Sequence, residues 1–236
     1  MLEEINYKDI KKYKKYITTD INNNSCLYFD KDLIHKIVFK KTEDYKDIII
    51  LLDQLNLEEL VELKKIIYDS GCIVGYSVKN YKEYKSLNKL KSRSFELKKQ
   101  DSIKLVNIYE KILNKGLSYR DFHLGNVLLN PKTNDIKICD LDSITLFESW
   151  DDEKYALTLL LECVLEYLYN INCKHIKNII RDNYLEKFIY NAEKKLTIDY
   201  ILKIIDLIDY GIVKRDRKQI IEKSKQLSNM GYSKFY

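Results

Sequence analysis

Tyr119-Arg120-Asp121-Phe122-His123-Leu124-Gly125-Asn126-Val127-Leu128-Leu129, followed after a turn by Ile136-Lys137-Ile138-Cys139-Asp140-Leu141-Asp142, is the stretch around which the rest of this chain organises itself. It reads as loop, strand, turn, strand. The aliphatic and β-branched residues on either side suit extended backbone, and Asn130-Pro131-Lys132-Thr133-Asn134-Asp135 between them is a run of turn formers. Three oxygen-bearing side chains punctuate it. Asp121 falls in the loop, Asn126 follows five residues later, and Asp140 ends the second strand, so the hairpin is expected to bring Asp140 beside Asn126.

Working outward, the periodicity changes near residue 85. Before it, short β-branched and aromatic runs predict strands at Tyr16 to Ile21, Cys26 to Tyr28, Leu33 to Phe39, Lys65 to Tyr68 and Cys72 to Val78. Asn22-Asn23-Asn24-Ser25 and Asp69-Ser70-Gly71 supply the turns. One helix, Glu43 to Leu55, interrupts them, with Ile48, Leu51, Leu52 and Leu55 at helical spacing. After residue 85 helices dominate. Asp101 or Ser102 can cap one that ends at Gly116, and Glu153 to Tyr169 is apolar almost all round, the mark of a buried helix. Further amphipathic helices are expected near 175 to 190, 197 to 209 and 215 to 227.

The fold class is therefore α+β: a small antiparallel sheet carrying one helix, then a motif-bearing hairpin, then a helical part. With 236 residues, 45% apolar and 33% charged, the chain can bury a real core. Its longest apolar runs, Ile48 to Leu52 and Tyr155 to Leu161, fall far short of the roughly 20 residues that cross a bilayer. The N-terminus lacks the apolar core of a signal peptide, so a cytoplasmic location without a membrane partner is expected. The net charge of +5 is spread among acids without a basic tract, and no nucleic-acid partner is expected. Cys26, Cys72, Cys139, Cys163 and Cys173 have neither CxxC nor Cys/His spacing, so they read as small buried hydrophobes.

Phosphoryl transfer asks a protein mainly to orient the nucleophile, hold metal ions and neutralise developing charge. A loop aspartate, an asparagine at fixed offset and a strand-end aspartate suit that task. In this order, Y-R-D-F-H-L-G-N and D-L-D resemble the H-R-D-x-x-x-x-N and D-F-G motifs of the protein-kinase-like superfamily, as found in small bacterial or viral protein kinases. The resemblance implies one bilobal kinase-like domain over 1–236, with an N-lobe of about 1–80, a hinge of about 79–82 and a C-lobe of about 83–236. It implies ATP and Mg2+ as cofactors, Asp121 as the catalytic base, and Asn126 and Asp140 as metal ligands. Leu33-Ile34-His35-Lys36 resembles the V-A-I-K strand, which makes Lys36 the phosphate-binding lysine. Its acidic partner is expected at Asp47, with Glu43 and Asp44 as rivals. Val78, Lys79, Asn80 and Tyr81 resemble the last strand and hinge that bind adenine, with Ile34 and Leu128 on the two faces of the ring.

The chain departs from the family pattern in four places. Asn22 to Ser25 stands where a glycine-rich loop is usual, and Asp142 replaces the D-F-G glycine, where it reads as a cap or a further metal ligand, the cap being favoured. His123 gives D-x-H-x-G-N, which is similar to aminoglycoside and choline kinases. Only a short segment separates Asp140 from the buried helix, and A-P-E is missing. The expected activity is transfer of the γ-phosphate to a hydroxyl, with a protein Ser/Thr acceptor ahead of a small hydroxylated one. A nucleotide-binding pseudokinase acting as an interaction module is the alternative from another class.

Overall fold

The computed structural model of the 236-residue chain describes residues 2–16, 25–39, 45–55, 57–90, 92–147, 150–170, 196–214 and 218. The chain forms two compact units, 1–84 with 128–146, and 85–127 with 147–236. Several expected features lie outside the described residues: Asn22 to Asn24, Glu43, Asp44, Cys173, most of the strand Tyr16 to Ile21, the helix at 175–190 and nearly all of that at 215–227.

The first unit is built on six strands. β1 (Glu3–Asn6) leads into a one-turn helix, α1 (Tyr7–Ile10), capped by the Asn6 side chain. Then come β2 (Lys14–Tyr16), β3 (Ser25–Phe29), β4 (Leu33–Val38), the helix α2 (Tyr45–Leu55), β5 (Leu63–Asp69) and β6 (Cys72–Lys79). Their order in the sheet is β1-β5-β6-β4-β3-β2. The pairs from β5 to β2 are antiparallel, but β1 runs parallel to β5, so the sheet is mixed where an antiparallel one was expected. Strand periodicity sorts the side chains. On one face Ile10, Cys26, Tyr28, Ile37 and Ile67 form a core cluster, with Tyr13 and Val74 packed against it. Lys36, one residue along from Ile37, points to the opposite face, and Tyr76, its cross-strand partner on β6, lies on that face with it.

The turn between β5 and β6 has Ser70 at φ 52° and Gly71 at φ 80°. Positive φ at both central residues is the turn whose twist matches a two-residue hairpin. The hairpin expected at 127–138 is present as β9 (Val127–Leu129) and β10 (Ile136–Ile138), hydrogen-bonded neighbours. Asn130 closes its turn: the Asn130 amide donates to the Asp135 carbonyl at 2.9 Å, and the Lys132 amide donates to the Asn130 side chain at 3.0 Å. The Val61 and Ile138 amides tie β10 to residues 59–61, donating to the Ile138 and Glu59 carbonyls at 2.9 Å each. A 3-10 turn, Leu141–Ser143, and β11 (Ile144–Leu146) follow, and α2 packs against both.

The second unit begins with β7 (Lys85–Ser86) and is mainly helical: α3 (Phe95–Leu113), α4 (Trp150–Tyr169) and α5 (Ile198–Leu207), with β8 (Leu117–Tyr119) after α3. α3 starts two turns earlier than Asp101 suggests, because Ser94 is the cap and its Oγ accepts the Leu97 amide. Asp101 and Ser102 are buried inside the helix instead. The charge on Asp101 is compensated by Arg93, whose Nε and Nη2 donate to its two oxygens at 2.8 and 3.1 Å, and by the Tyr167 hydroxyl at 2.9 Å. The helix ends as expected near Gly116, which takes φ 73°. α4 buries Ala156, Leu160, Leu161, Val164, Leu165 and Leu168, as its nearly uninterrupted apolarity demands. Among the described residues no helix is long and apolar enough to cross a membrane.

Candidate active site

The first unit contains a buried cluster of charge. Lys36 lies mid-strand on β4, and its Nζ donates to Asp140 Oδ1 and lies 2.6 Å from Asp142 Oδ1. The backbone explains how one lysine meets two carboxylates from the same short segment. Asp140 adopts φ 72°, ψ 53°, a left-handed conformation that costs a non-glycine residue about 1–2 kcal/mol. This bend starts the 3-10 turn, and the Ser143 amide closes it on the Asp140 carbonyl at 3.0 Å. Ser143 Oγ also donates to Asp140 Oδ2 at 2.9 Å. Asp142 is fixed from the sheet by the Tyr76 hydroxyl, which donates to the same Oδ1 at 2.6 Å.

Burial and charge compete within this cluster. Burial by itself would lower the Lys36 pKa, but Asp140 and Asp142 more than offset it, and the ammonium is held above its ordinary value. Tyr76 and Tyr45 are pushed up, first by burial and then by the charge of Asp142. The Cys139 thiol is pushed up to about 12, chiefly by burial and next by Asp140. Asp140 and Asp142 carry carboxylate oxygens of the kind a hard cation takes, both turned to the Lys36 ammonium, and among the described residues no group of three or more acidic, histidine or cysteine side chains converges to hold a metal.

Two expectations need correction here. Asp47 is exposed in the first turn of α2, and Lys36 takes Asp140 and Asp142 as its partners in place of Asp47. Helix periodicity gives the reason: Tyr45, Ile48, Ile49 and Leu52 fill the inward face of α2, which leaves Asp47 turned outward. Asp142, favoured as a cap, lies inside the 3-10 turn and binds Lys36 and Tyr76. Tyr76 itself was missed. The only signal for it is a large polar-tipped aromatic three residues ahead of the hinge.

In the second unit the loop 120–126 is pinned by its own side chains. Phe122 is buried edge-on against Tyr109 and Tyr119, with ring centroids 4.6 and 5.5 Å apart. Asp121, beside it, is left exposed. Asn126 Nδ2 donates to the Asp121 carbonyl at 2.9 Å, which fixes the orientation of the amide and makes its oxygen the acceptor end of the side chain. The Gly125 amide donates to His123 Nδ1 at 3.0 Å, so that nitrogen carries a lone pair and the neutral ring keeps its proton on Nε2. Nε2 lies 3.7 Å from Asp121 Oδ2. His123 thus orients the loop and faces the expected base.

Of the expected adenine-binding residues, Val78 to Tyr81 lie at the end of β6 and just beyond it, Ile34 on the adjacent β4, and Leu128 in a separate sheet on β9. Ile34 pairs with Val78, and Leu33 with Lys79. The Lys79 amide donates to the Glu62 carbonyl at 3.1 Å and the Asn80 amide to the Asp32 carbonyl at 2.9 Å, so these two donors are already engaged. Tyr81 is braced from its side chain, whose hydroxyl accepts the Glu62 amide at 3.1 Å and whose ring meets Tyr84 edge-on. Leu128, on β9, is partly exposed, as is Ile34.

No protein-family model matches the chain, and no curated protein matches it by sequence. Among solved structures it is similar to the Cydia pomonella granulovirus kinase PK-1, with a TM-score of 0.55 and 14% identity over 84% of this chain and 89% of that one. At that identity the likeness speaks for the fold. With its antiparallel-rich sheet and helical second unit, the chain has the protein-kinase-like fold.

Proposed function

We propose that the protein is an ATP-dependent phosphotransferase that moves the γ-phosphate to a hydroxyl acceptor, with serine or threonine of a protein as the acceptor. The observation that carries this reading is the buried Lys36 held by Asp140 and Asp142 within a protein-kinase-like fold. A lysine costs several kcal/mol to bury, and a chain without use for it would gain from an apolar residue in its place. The similar granulovirus protein is described as a kinase, which supports the same activity here.

In this reading Lys36 binds the phosphates and Asp121 takes the proton of the acceptor hydroxyl. Asn126 and Asp140 are the oxygen ligands for Mg2+, which when bound neutralises negative charge on the phosphate oxygens. Ile34, Val78, Lys79, Asn80, Tyr81 and Leu128 bind the adenosine. His123 keeps Asp121 in place through the loop.

The test is a transfer assay with radiolabelled ATP and Mg2+, offering the protein itself, a basic protein substrate and a panel of small hydroxylated acceptors. Asp121→Ala is expected to lower kcat by about 10²–10⁴ while ATP still binds. Asp140→Ala is expected to abolish the dependence of ATP binding on Mg2+. Transfer to small acceptors alone would replace the protein-kinase reading with the aminoglycoside-kinase type. ATP binding without transfer to anything would favour the pseudokinase.

A further inference from the structure

We infer that Asp142, oriented by Tyr76, is the standing counter-ion of Lys36, and that it does the work expected of an acid on α2 while leaving Asp140 available to a metal. The inference rests on the phosphotransferase reading and assigns the position of its phosphate-binding lysine to two residues outside the expected set. Asp142 Oδ1 is the shared atom, 2.6 Å from Lys36 Nζ and 2.6 Å from the Tyr76 hydroxyl. Tyr76 is buried to 2% exposure and lies on β6 directly opposite Lys36 on β4, so the hydroxyl and the lysine are carried by adjacent paired strands.

Charge counting gives the arrangement its meaning. One ammonium faces two carboxylates, which leaves a surplus negative charge. When a cation engages Asp140, Lys36 still has Asp142, and no buried positive charge is stranded. Without Asp142 the same event would set an unpaired ammonium beside a metal ion. The α2 candidate cannot substitute, because Asp47 is exposed and turned away by the helix face that buries Ile48 and Ile49. Asp142 is thus a positioning residue that acts through Lys36, and Tyr76 is a positioning residue that acts through Asp142.

Two measurements on the full chain test this. The first is a double-mutant cycle on thermal stability without nucleotide, combining Lys36→Met with Asp142→Asn and, separately, with Asp47→Asn. Coupling is expected between 36 and 142 and additivity between 36 and 47. The second is ATP affinity and the split of kcat from KM with Mg2+ present. Asp142→Asn is expected to weaken ATP binding about tenfold and Tyr76→Phe about threefold, a size set by the loss of one charge-assisted hydrogen bond. Tyr76→Phe removes only a hydroxyl, so it carries the test if Asp142→Asn does not fold. Additive behaviour of 36 with 142, or undiminished ATP affinity in both variants, overturns the inference and leaves the phosphotransferase reading standing. The converse separates as clearly: if the intact protein binds no ATP but the coupling persists, the phosphotransferase reading falls and the counter-ion assignment holds.

Discussion

Gly75 shows how closely single residues are fitted around Lys36. It lies across from Ile37 on β6, where an added Cβ would sit 2.0 Å from the Lys36 carbonyl oxygen. That oxygen belongs to a strand backbone and cannot swing aside. Gly75→Ala should therefore push β4 away, destabilise the protein by roughly 1–3 kcal/mol and weaken ATP binding, as measured by denaturant unfolding and nucleotide titration. At this scale the sequence was partly legible. Lys36 and Asp140 could be picked out because each stands at a motif position. Their direct pairing could not, since it joins residues 104 apart in the chain and depends on a left-handed bend at Asp140 that no residue type announces. Asp142 was read locally, as a cap, because nothing in its neighbours betrays the tyrosine hydroxyl arriving from β6.

Elements were easier to read where composition marked them plainly. β4, β6, α4 and the hairpin β9–β10 fall close to their expected places because short β-branched and aromatic runs mark the strands and a long, nearly uninterrupted apolar stretch marks the helix. The start of α3 misled for a physical reason: Asp101 looks like a cap, but it is a buried acid satisfied by Arg93, eight residues earlier, and by Tyr167 on α4. Removing its cationic partner strands a carboxylate. Arg93→Ala should cost about 3–5 kcal/mol in a chemical-denaturation experiment, and adding Asp101→Asn should recover part of that loss. β1 went unseen because Glu3 and Glu4 suggest a solvated segment, and its partner β5 lies some sixty residues downstream in the register Glu3 to Lys65.

For the molecule as a whole, His35 is a buried group whose ionisation links folding to pH. It is 1% exposed, its Nδ1 is 2.7 Å from Ser77 Oγ, and its ring stacks on Tyr13 at 5.1 Å. Burial lowers its pKa from the ordinary 6.5; Asp30 opposes this and Lys65 adds to it. A base whose pKa falls on folding binds fewer protons folded than unfolded. Its contribution is thus complete above 6.5 and is lost as the pH drops from there towards the depressed folded value. Between roughly pH 7.5 and 5.5, the Tm of the native protein should fall more steeply than that of His35→Gln, read by calorimetry.

The parallel strand β1 has a consequence for how copies of this chain coexist. The flank of β5 away from β6 is occupied by the chain's own residues 3–6, and at the far side of the described sheet β2 presents Lys14 and Lys15 to solvent. A short, acid-bearing strand at one margin and a lysine-bearing one at the other give a neighbouring molecule little to extend. Crowded together, such chains present, among the described residues of this sheet, no long bare ribbon on which to polymerise.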